Sequence, residues 1–311
     1  MTTISANPDR RRPAGRVVSA WVDRNIRWVL VAPAVFLVLA LSIFPLVFSA
    51  WVNFVEFDFS VSNDHPWVAL DNFKDNFNDP DWKHSIIITA ILATSVVAVE
   101  LLIGLLLALV MMRTFFGRRV LMVVTVIPLF ISPVVTGGFW DLFLRQPIGP
   151  ANQIASWFWP GTVTTNFTDE GLWPYVSVIV ADAWQWTPFM FVILLAGLTS
   201  ISNELYEAAE IDGARPRQSF FFVTLPLLAP IILVAVTFRF IDATKLFDII
   251  YTLTRGGPGT DTYTTSYFLY YQGFERFHIG QATAGSWLFM IVLSVISYWL
   301  IRRLLKPVNV S

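Results

Sequence analysis

Residues 201–226 read ISNELYEAAEIDGARPRQSFFFVTLP, a polar segment that leads back into an apolar one. Ser202 or Asn203 can cap a short helix by accepting a hydrogen bond from one of its first backbone amides. Gly213 allows the left-handed turn that ends such a helix, and Pro216 suits the first turn of a second helix. The segment therefore predicts a compact helix–turn–helix, with two small alanines that permit close approach of another surface.

The composition of the 311-residue chain is that of an integral membrane protein. Apolar residues make up 55% and charged residues only 14%, and the mean hydropathy is +0.61. A soluble domain carries roughly 25% charged residues, so this chain has too few charges to cover a surface that faces water. The net charge of −1 argues against nucleic acid, which requires a basic surface. The chain has no cysteine and three scattered histidines, so neither disulfides nor a metal site is expected.

A bilayer span needs about 20 mostly apolar residues, and the apolar runs predict an all-α membrane protein with six transmembrane helices. We place the spans at residues 28–51, 86–112, 120–140, 173–198, 224–246 and 281–301. Most Lys and Arg residues fall on one side of these spans, which predicts that both termini are cytoplasmic. Residues 1–27 are then a cytoplasmic tail, residues 28–306 the membrane domain and residues 199–223 a cytoplasmic loop. The first apolar run is too long for a signal-peptide core and is expected to be a retained anchor.

Charged and helix-breaking residues interrupt several of these spans. Pro128 and Pro133, with two nearby glycines, indicate either a packing kink or a broken helix that lines a path. Glu100 indicates either a polar contact with another helix or a role in the pathway, because a charge within a span costs roughly 2.5–3.5 kcal/mol on insertion scales. Opposite charges at every third position favour a self-neutralising ladder along the fifth helix over a ligand site. The ladder consists of Arg239, Asp242, Lys245 and Asp248.

Acidic, amide and aromatic side chains share one face of the fourth span. Their spacing of i, i+3, i+4 and i+7 forms a single stripe on a helix. In such a stripe the polar groups can pair with sugar hydroxyls, and the aromatic rings can stack on the C–H face of the sugar. The stripe is a candidate sugar surface, with buried packing as the alternative, and comprises Asp182, Gln185, Trp186 and Phe189.

The polar segment also carries a specific motif. Glu207-Ala208-Ala209 is followed after three residues by Gly213 and, nine residues later, by Val223-Thr224-Leu225-Pro226. This pattern resembles the EAA loop of bacterial ABC importer permeases, with Val in place of Ile as the departure. Residues 182–189 and the segment FDIIYTLTRGGPG at 247–259 are similar to the carbohydrate-uptake branch, which includes the MalF-like maltose and trehalose permeases. The resemblance covers roughly residues 25–305 and implies a type I importer permease fold.

The resemblance implies roles for three groups of residues. The loop residues that would couple the permease to an ATPase are Glu207, Ala208, Ala209, Asp212, Gly213, Leu225 and Pro226. The residues that would line the substrate path are Asp182, Gln185, Trp186, Phe189, Asp242 and Lys245. The residues that would contact the binding protein are Gly256, Gly257 and Pro258.

The resemblance thus implies a permease subunit of a binding-protein-dependent ABC importer in the bacterial inner membrane. Its partners would be a second permease subunit, two ATPase subunits and a periplasmic or lipoprotein binding protein that delivers a sugar or sugar derivative. No G-x-x-x-x-G-K-[ST] motif occurs, so ATP and Mg are expected on the separate ATPase, and this chain is not expected to be an enzyme. The alternative is an ion- or proton-coupled secondary transporter that uses Glu100 and Asp182. The kind of sugar stays open, because permeases for disaccharides, polyols, glycerol phosphodiesters and sulfonated sugars share these motifs.

Overall fold

Long apolar helices make up most of the computed structural model, which describes residues 24–57, 65–146, 149–158 and 166–304. Among these residues, five helices are long and apolar enough to cross a membrane, and a strongly bent pair brings the number of possible spans to six. Of the described residues, 24–52 form a unit separate from those that follow. In chain order the helices are α1 Ile26–Val52, α2 Asp71–Asn78, α3 Pro80–Met111, α4 Arg118–Val126, α5 Pro133–Leu144, α6 Pro150–Phe158, α7 Trp173–Thr199, α8 Asn203–Ile211, α9 Pro216–Ser219, α10 Leu225–Ala243, α11 Thr265–Tyr270 and α12 Ile279–Leu304.

The predicted all-helical membrane class is confirmed. Each predicted span overlaps one of the long helices or the bent pair. The helices extend beyond several predictions. The helical residues of the fifth span begin at Pro216 instead of residue 224, and α3 begins at Pro80 because Asp79 caps it by accepting a hydrogen bond from the amide of Asp81. Most of the predicted tail 1–27 and the end of the predicted membrane domain at 305–306 lie outside the described residues.

The third predicted span is broken. α4 continues into a 3₁₀ turn at Ile127–Phe130, and α5 then departs at an angle of 103°. Proline forces the residue before it out of the helical region, and Ser132, which precedes Pro133, is accordingly extended with a ψ of 138°. The segment is therefore a broken helix, and its role in lining a path stays a prediction.

The fifth predicted span ends three residues earlier than expected, at Ala243. The chain leaves the helical path over residues 244–247 before a π-helical turn at Ile250–Thr254. The carbonyl of Leu246 accepts a hydrogen bond from Thr264 Oγ1 at 2.8 Å, so a tertiary contact takes the place of a further helical turn. The predicted ladder of charges is therefore wrong beyond its first pair, since Lys245 and Asp248 do not continue the helix of Arg239.

Close packing of α3 against α7 forms the centre of the membrane domain. A Cβ added at Gly104 of α3 would lie 2.7 Å from Met190 Cβ and 3.0 Å from the backbone nitrogen of Phe191, both on α7. Met190, Phe191 and Leu194 are fully buried in the cluster that fills this contact. Because the two backbones approach so closely, polar side chains on α3 and α7 can reach the same partner on α10.

Candidate functional site: a buried ion cluster beside a polar cavity

A buried arginine joins three of the long helices. Arg239 of α10 donates from Nε and Nη2 to the two carboxylate oxygens of Glu100 on α3, at 2.8 and 2.9 Å. Nη2 also donates to Asp182 of α7, and Nη1 donates at 2.9 Å to Asp242 on α10. The guanidinium carbon lies over the Trp186 ring, 4.8 Å from its centre. We refer to Glu100, Asp182, Arg239 and Asp242 as the ion cluster.

Burial accounts for this pairing. Glu100 is 0%, Asp182 1% and Arg239 2% exposed, whereas the side chain of Asp242 is 51% exposed. A charge within a membrane span is disfavoured by roughly 2.5–3.5 kcal/mol unless it meets a partner, and the planar fork of arginine matches a carboxylate bidentately. Glu100 thus makes the polar contact with another helix that is one of its two predicted roles. Arg239 and Asp242, the first pair of the predicted ladder, do form an ion pair. Arg239 nevertheless makes most of its side-chain hydrogen bonds to residues of other helices.

A polar cavity of about 230 Å³ lies beside the ion cluster. Four of the six predicted substrate-path residues line it, namely Asp182, Trp186, Asp242 and Lys245. Asp248 and Arg239 also line it. The structure therefore brings residues of the stripe and of the predicted ladder to one surface, although they come from different parts of the chain.

The other two predicted path residues do not line this cavity. Gln185 is 1% exposed, and its Nε2 donates to the carbonyl of Ile131 at 2.7 Å. That carbonyl lies at the break between α4 and α5, so Gln185 satisfies a backbone group that the broken helix leaves free. Phe189 packs edge-on against Trp186, with ring centres 6.3 Å apart. A contact with substrate at these two positions stays a prediction.

Several cavity residues are absent from the sequence prediction. The lining is completed by Pro133, at the start of α5, by Ala243, the last residue of α10, and by Leu246, Phe247 and Ile249, which follow α10. Apart from Asp248 of the predicted ladder, the segment 247–259 is distinguished in the sequence only by its likeness to carbohydrate permeases. The position of this segment at the cavity could be predicted only if the end of α10 at Ala243 were known, and the sequence does not indicate that end.

The polar segment folds largely as the sequence predicts. Ser202 Oγ accepts from the amide of Glu204 at the start of α8. Gly213 has a φ of +78°, and the amides of Gly213 and Ala214 donate to the carbonyls of residues 210 and 209 in the pattern of a Schellman turn. α9 then begins at Pro216. The first short helix and its terminating turn are confirmed, whereas the second helix is not a separate short one, because it continues through Phe220–Thr224 into α10.

The predicted coupling residues occupy a largely exposed surface. Glu207, Ala208, Asp212, Gly213 and Pro226 are exposed, and Ala209 and Leu225 are partly buried. Ile211, at the end of α8, is 86% exposed. Exposed apolar side chains next to charges are typical of a docking surface, and the coupling role stays a prediction.

The segment with Gly256, Gly257 and Pro258 forms a tight turn. Gly256 is buried with a φ of +79°, and a Cβ there would lie 2.6 Å from the ring of Tyr263. Thr262 fastens the turn, because its Oγ1 donates to the carbonyl of Gly257 at 2.9 Å. Gly257 and Pro258 are partly exposed. Gly256 thus shapes the turn, and contact with a binding protein stays a prediction for all three residues.

Comparison with known proteins assigns the chain to a family. The model of the family "Binding-protein-dependent transport system inner membrane component" matches residues 100–309, which include the ion cluster and the helix–turn–helix. The chain is 35% identical to the probable ABC transporter permease protein y4oQ of Sinorhizobium fredii, over 92% of either chain. It is 32% identical to the trehalose/maltose transport system permease protein MalF of Thermococcus litoralis, over 88% of this chain and 91% of that protein.

A solved structure has the same fold. It is a bacterial ABC transporter involved in the import of the acidic polysaccharide alginate; the match has a TM-score of 0.79 and 22% identity and covers 94% of this chain and 99% of that one. At that identity the likeness supports the fold, while the family rests on the sequence matches. With its apolar helices, its inner-membrane family model and its relatives covered almost end to end, the chain belongs to the inner membrane components of binding-protein-dependent transport systems.

Proposed function

We propose that this chain forms one half of the membrane path of an ATP-driven importer and carries a sugar that an extracytoplasmic binding protein delivers. The observation on which the proposal rests is the polar cavity beside the ion cluster, within the membrane domain and next to Trp186. The name of the trehalose/maltose relative supports a carbohydrate substrate. The other half of the path would belong to a second permease subunit.

The geometry separates the groups that can hold a sugar from those that cannot. Asp182 and Glu100 are fully buried and bound to Arg239, and Gln185 is bound to the broken helix. Asp242 and Asp248 have side chains that reach the cavity with less burial, so they are the acceptors available to sugar hydroxyls. Trp186 supplies the aromatic surface, which buries a large area with few rotatable bonds.

The exposed helix–turn–helix is the proposed coupling element. In the cytoplasm, α8 would sit in a groove of one ATPase subunit, with Glu207 meeting a basic residue and Ile211 an apolar surface. α8 and α9 connect α7, which carries Asp182, to α10, which carries Arg239. Closure of the ATPase subunits on ATP would therefore move helices that wall the cavity, which links the two sites through one rigid element. ATP and Mg would bind to the ATPase subunits, and the turn at Gly257 and Pro258 would face the binding protein.

Uptake by a deletion strain tests the proposal. The gene is deleted, and uptake of labelled trehalose, maltose and other sugars is measured with and without a plasmid copy. We expect deletion to abolish uptake of at least one sugar. In the strain that carries the plasmid copy, uptake should be lost when ATP is depleted while the proton gradient is maintained. Uptake that follows the proton gradient would support the secondary transporter instead.

A pair of glycine variants tests the coupling element. Gly213→Arg should not restore uptake and should reduce copurification of the ATPase, while the binding protein's affinity for its sugar stays unchanged. Gly117→Arg is the matched control, because Gly117 is also exposed, has a φ of +85° and lies in the turn before α4. If Gly213→Arg transports as well as Gly117→Arg does, the coupling role is wrong.

A further inference from the structure

Arg239 has little capacity left for a substrate. All three of its side-chain nitrogens donate to carboxylates, and the residue is 2% exposed. One face of the guanidinium is covered by the Trp186 ring. Recognition of a phosphate, sulfonate or carboxylate by arginine relies on two parallel N–H donors, and Arg239 does not present such a pair to the cavity. The residue is a counter-ion for Glu100 and Asp182.

The remaining charges make the cavity wall acidic. Within the ion cluster the charge of Arg239 is taken up by Glu100 and Asp182, so the cluster offers no free positive charge to the cavity. Lys245 is exposed at the wall and makes no ion pair with any residue that the structure describes. Asp242 and Asp248 outnumber that lysine.

From this arrangement, and resting on the proposed function, we infer that the cavity accepts an uncharged sugar and rejects phosphorylated, sulfonated and carboxylated ones. Asp242 and Asp248 are the residues that discriminate. An anion about 6 Å from one uncompensated carboxylate, at an effective dielectric constant of about 20, is disfavoured by roughly a hundredfold. Lys245 offsets part of this repulsion, so a discrimination of at least about tenfold is expected. The volume of about 230 Å³ is below the roughly 300–1,000 Å³ of typical small-molecule pockets, so this wall fits one sugar ring at a time.

Direct binding to the complete transporter tests the inference without relying on the binding protein. The transporter is purified with its partner subunits in nanodiscs, and saturation-transfer NMR compares glucose with glucuronate, and trehalose with trehalose 6-phosphate. We expect each neutral sugar to give a signal at least tenfold stronger than its anionic counterpart. Asp248→Asn should raise the anionic-to-neutral ratio several-fold, and Lys245→Met should lower it.

Two further variants complete the test. Asp242→Asn should also raise the ratio, but it removes one partner of Arg239, so Asp248→Asn is the cleaner test. Asp169→Asn makes the same change in charge at an exposed position outside the cavity and should leave the ratio as it is. Equal binding of the neutral and anionic sugars to the wild type, or a ratio that Asp248→Asn leaves unchanged, overturns the inference while the proposed sugar importer stands. Absence of any sugar binding overturns both.

Discussion

Arg239→Met should be the most destabilising single change in the ion cluster. Methionine fills a similar length but removes the counter-ion of Glu100 and Asp182, which are at most 1% exposed. Removing one partner of a buried ion pair costs about 3–5 kcal/mol, because the other charge is left uncompensated. Both Glu100 and Asp182 lose their donor here, so we expect a loss within that range. Asp242 adds little, because its side chain is 51% exposed and can be solvated.

Two further variants separate charge from packing. In the Arg239→Met background, Glu100→Gln and Asp182→Asn remove the uncompensated charges and should restore more than half of the lost free energy of unfolding. Lys245→Met is the control, since this exposed lysine lies outside the ion cluster and should change stability by less than about 0.5 kcal/mol. The measurement is unfolding of the purified chain by SDS in lipid–detergent micelles, followed by the emission of its 13 tryptophans. If Arg239→Met loses no more stability than Lys245→Met, the ion cluster does not hold α3, α7 and α10 together.

Three other changes test the packing and the path. Gln185→Ala removes the donor to the carbonyl of Ile131 and should lower the free energy of unfolding by about 1–3 kcal/mol in the same SDS titration; a change below 0.5 kcal/mol contradicts that role. Trp186→Ala should reduce sugar uptake by reconstituted transporter while ATPase stimulation by the loaded binding protein survives, and it should remove about 0.5–2 kcal/mol of cation–π stabilisation from Arg239; wild-type uptake would make Trp186 a packing residue. Gly104→Ala places a methyl group against the α7 backbone and should lower the free energy of unfolding by about 1–3 kcal/mol. An unchanged midpoint of the SDS titration would show that the close approach of α3 and α7 does not require a glycine at this position.

Much of the fold could be predicted because it follows from local chemistry. A run of apolar residues long enough to cross a bilayer is expected to be helical, because only a helix satisfies all backbone hydrogen bonds within a single segment. The turn at Gly213 is equally local, because its positive φ suits a residue without a Cβ. The edge-on contact of Trp186 and Phe189 also follows from their i, i+3 spacing on one helix.

The candidate site could be predicted only in part, because its geometry depends on contacts between distant residues. The i, i+3 spacing of Arg239 and Asp242 is compatible with a ladder, but Glu100 and Asp182 compete for the same guanidinium from other helices. Arg239 pairs with the buried carboxylates because water cannot solvate these groups, whereas Lys245 and Asp248 lie where solvent reaches them. Gln185 likewise binds the broken helix, and its spacing alone indicates only that it shares a face with Asp182.

The ion cluster also accounts for which faces of the apolar helices meet. In a bilayer, lipid tails are as apolar as the helix surfaces, so hydrophobicity does not select one packing of α3, α7 and α10 over another. Small residues permit close approach, as at Gly197, where a Cβ would lie 2.7 Å from the side chains of Leu228 and Ile231. Close approach still tolerates rotations and one-turn shifts, but a single arginine bound to Glu100 and Asp182 does not, because any such shift buries a charge without its partner. A polar network of this kind fixes the register of packed helices even where its net contribution to stability is small. Glu100 and Asp182 therefore have two effects: they occupy the donors of Arg239, and they hold the helices of the cavity wall in place. A substitution that alters selectivity without disturbing this packing must lie at the wall but outside the ion cluster, as Asp248 does.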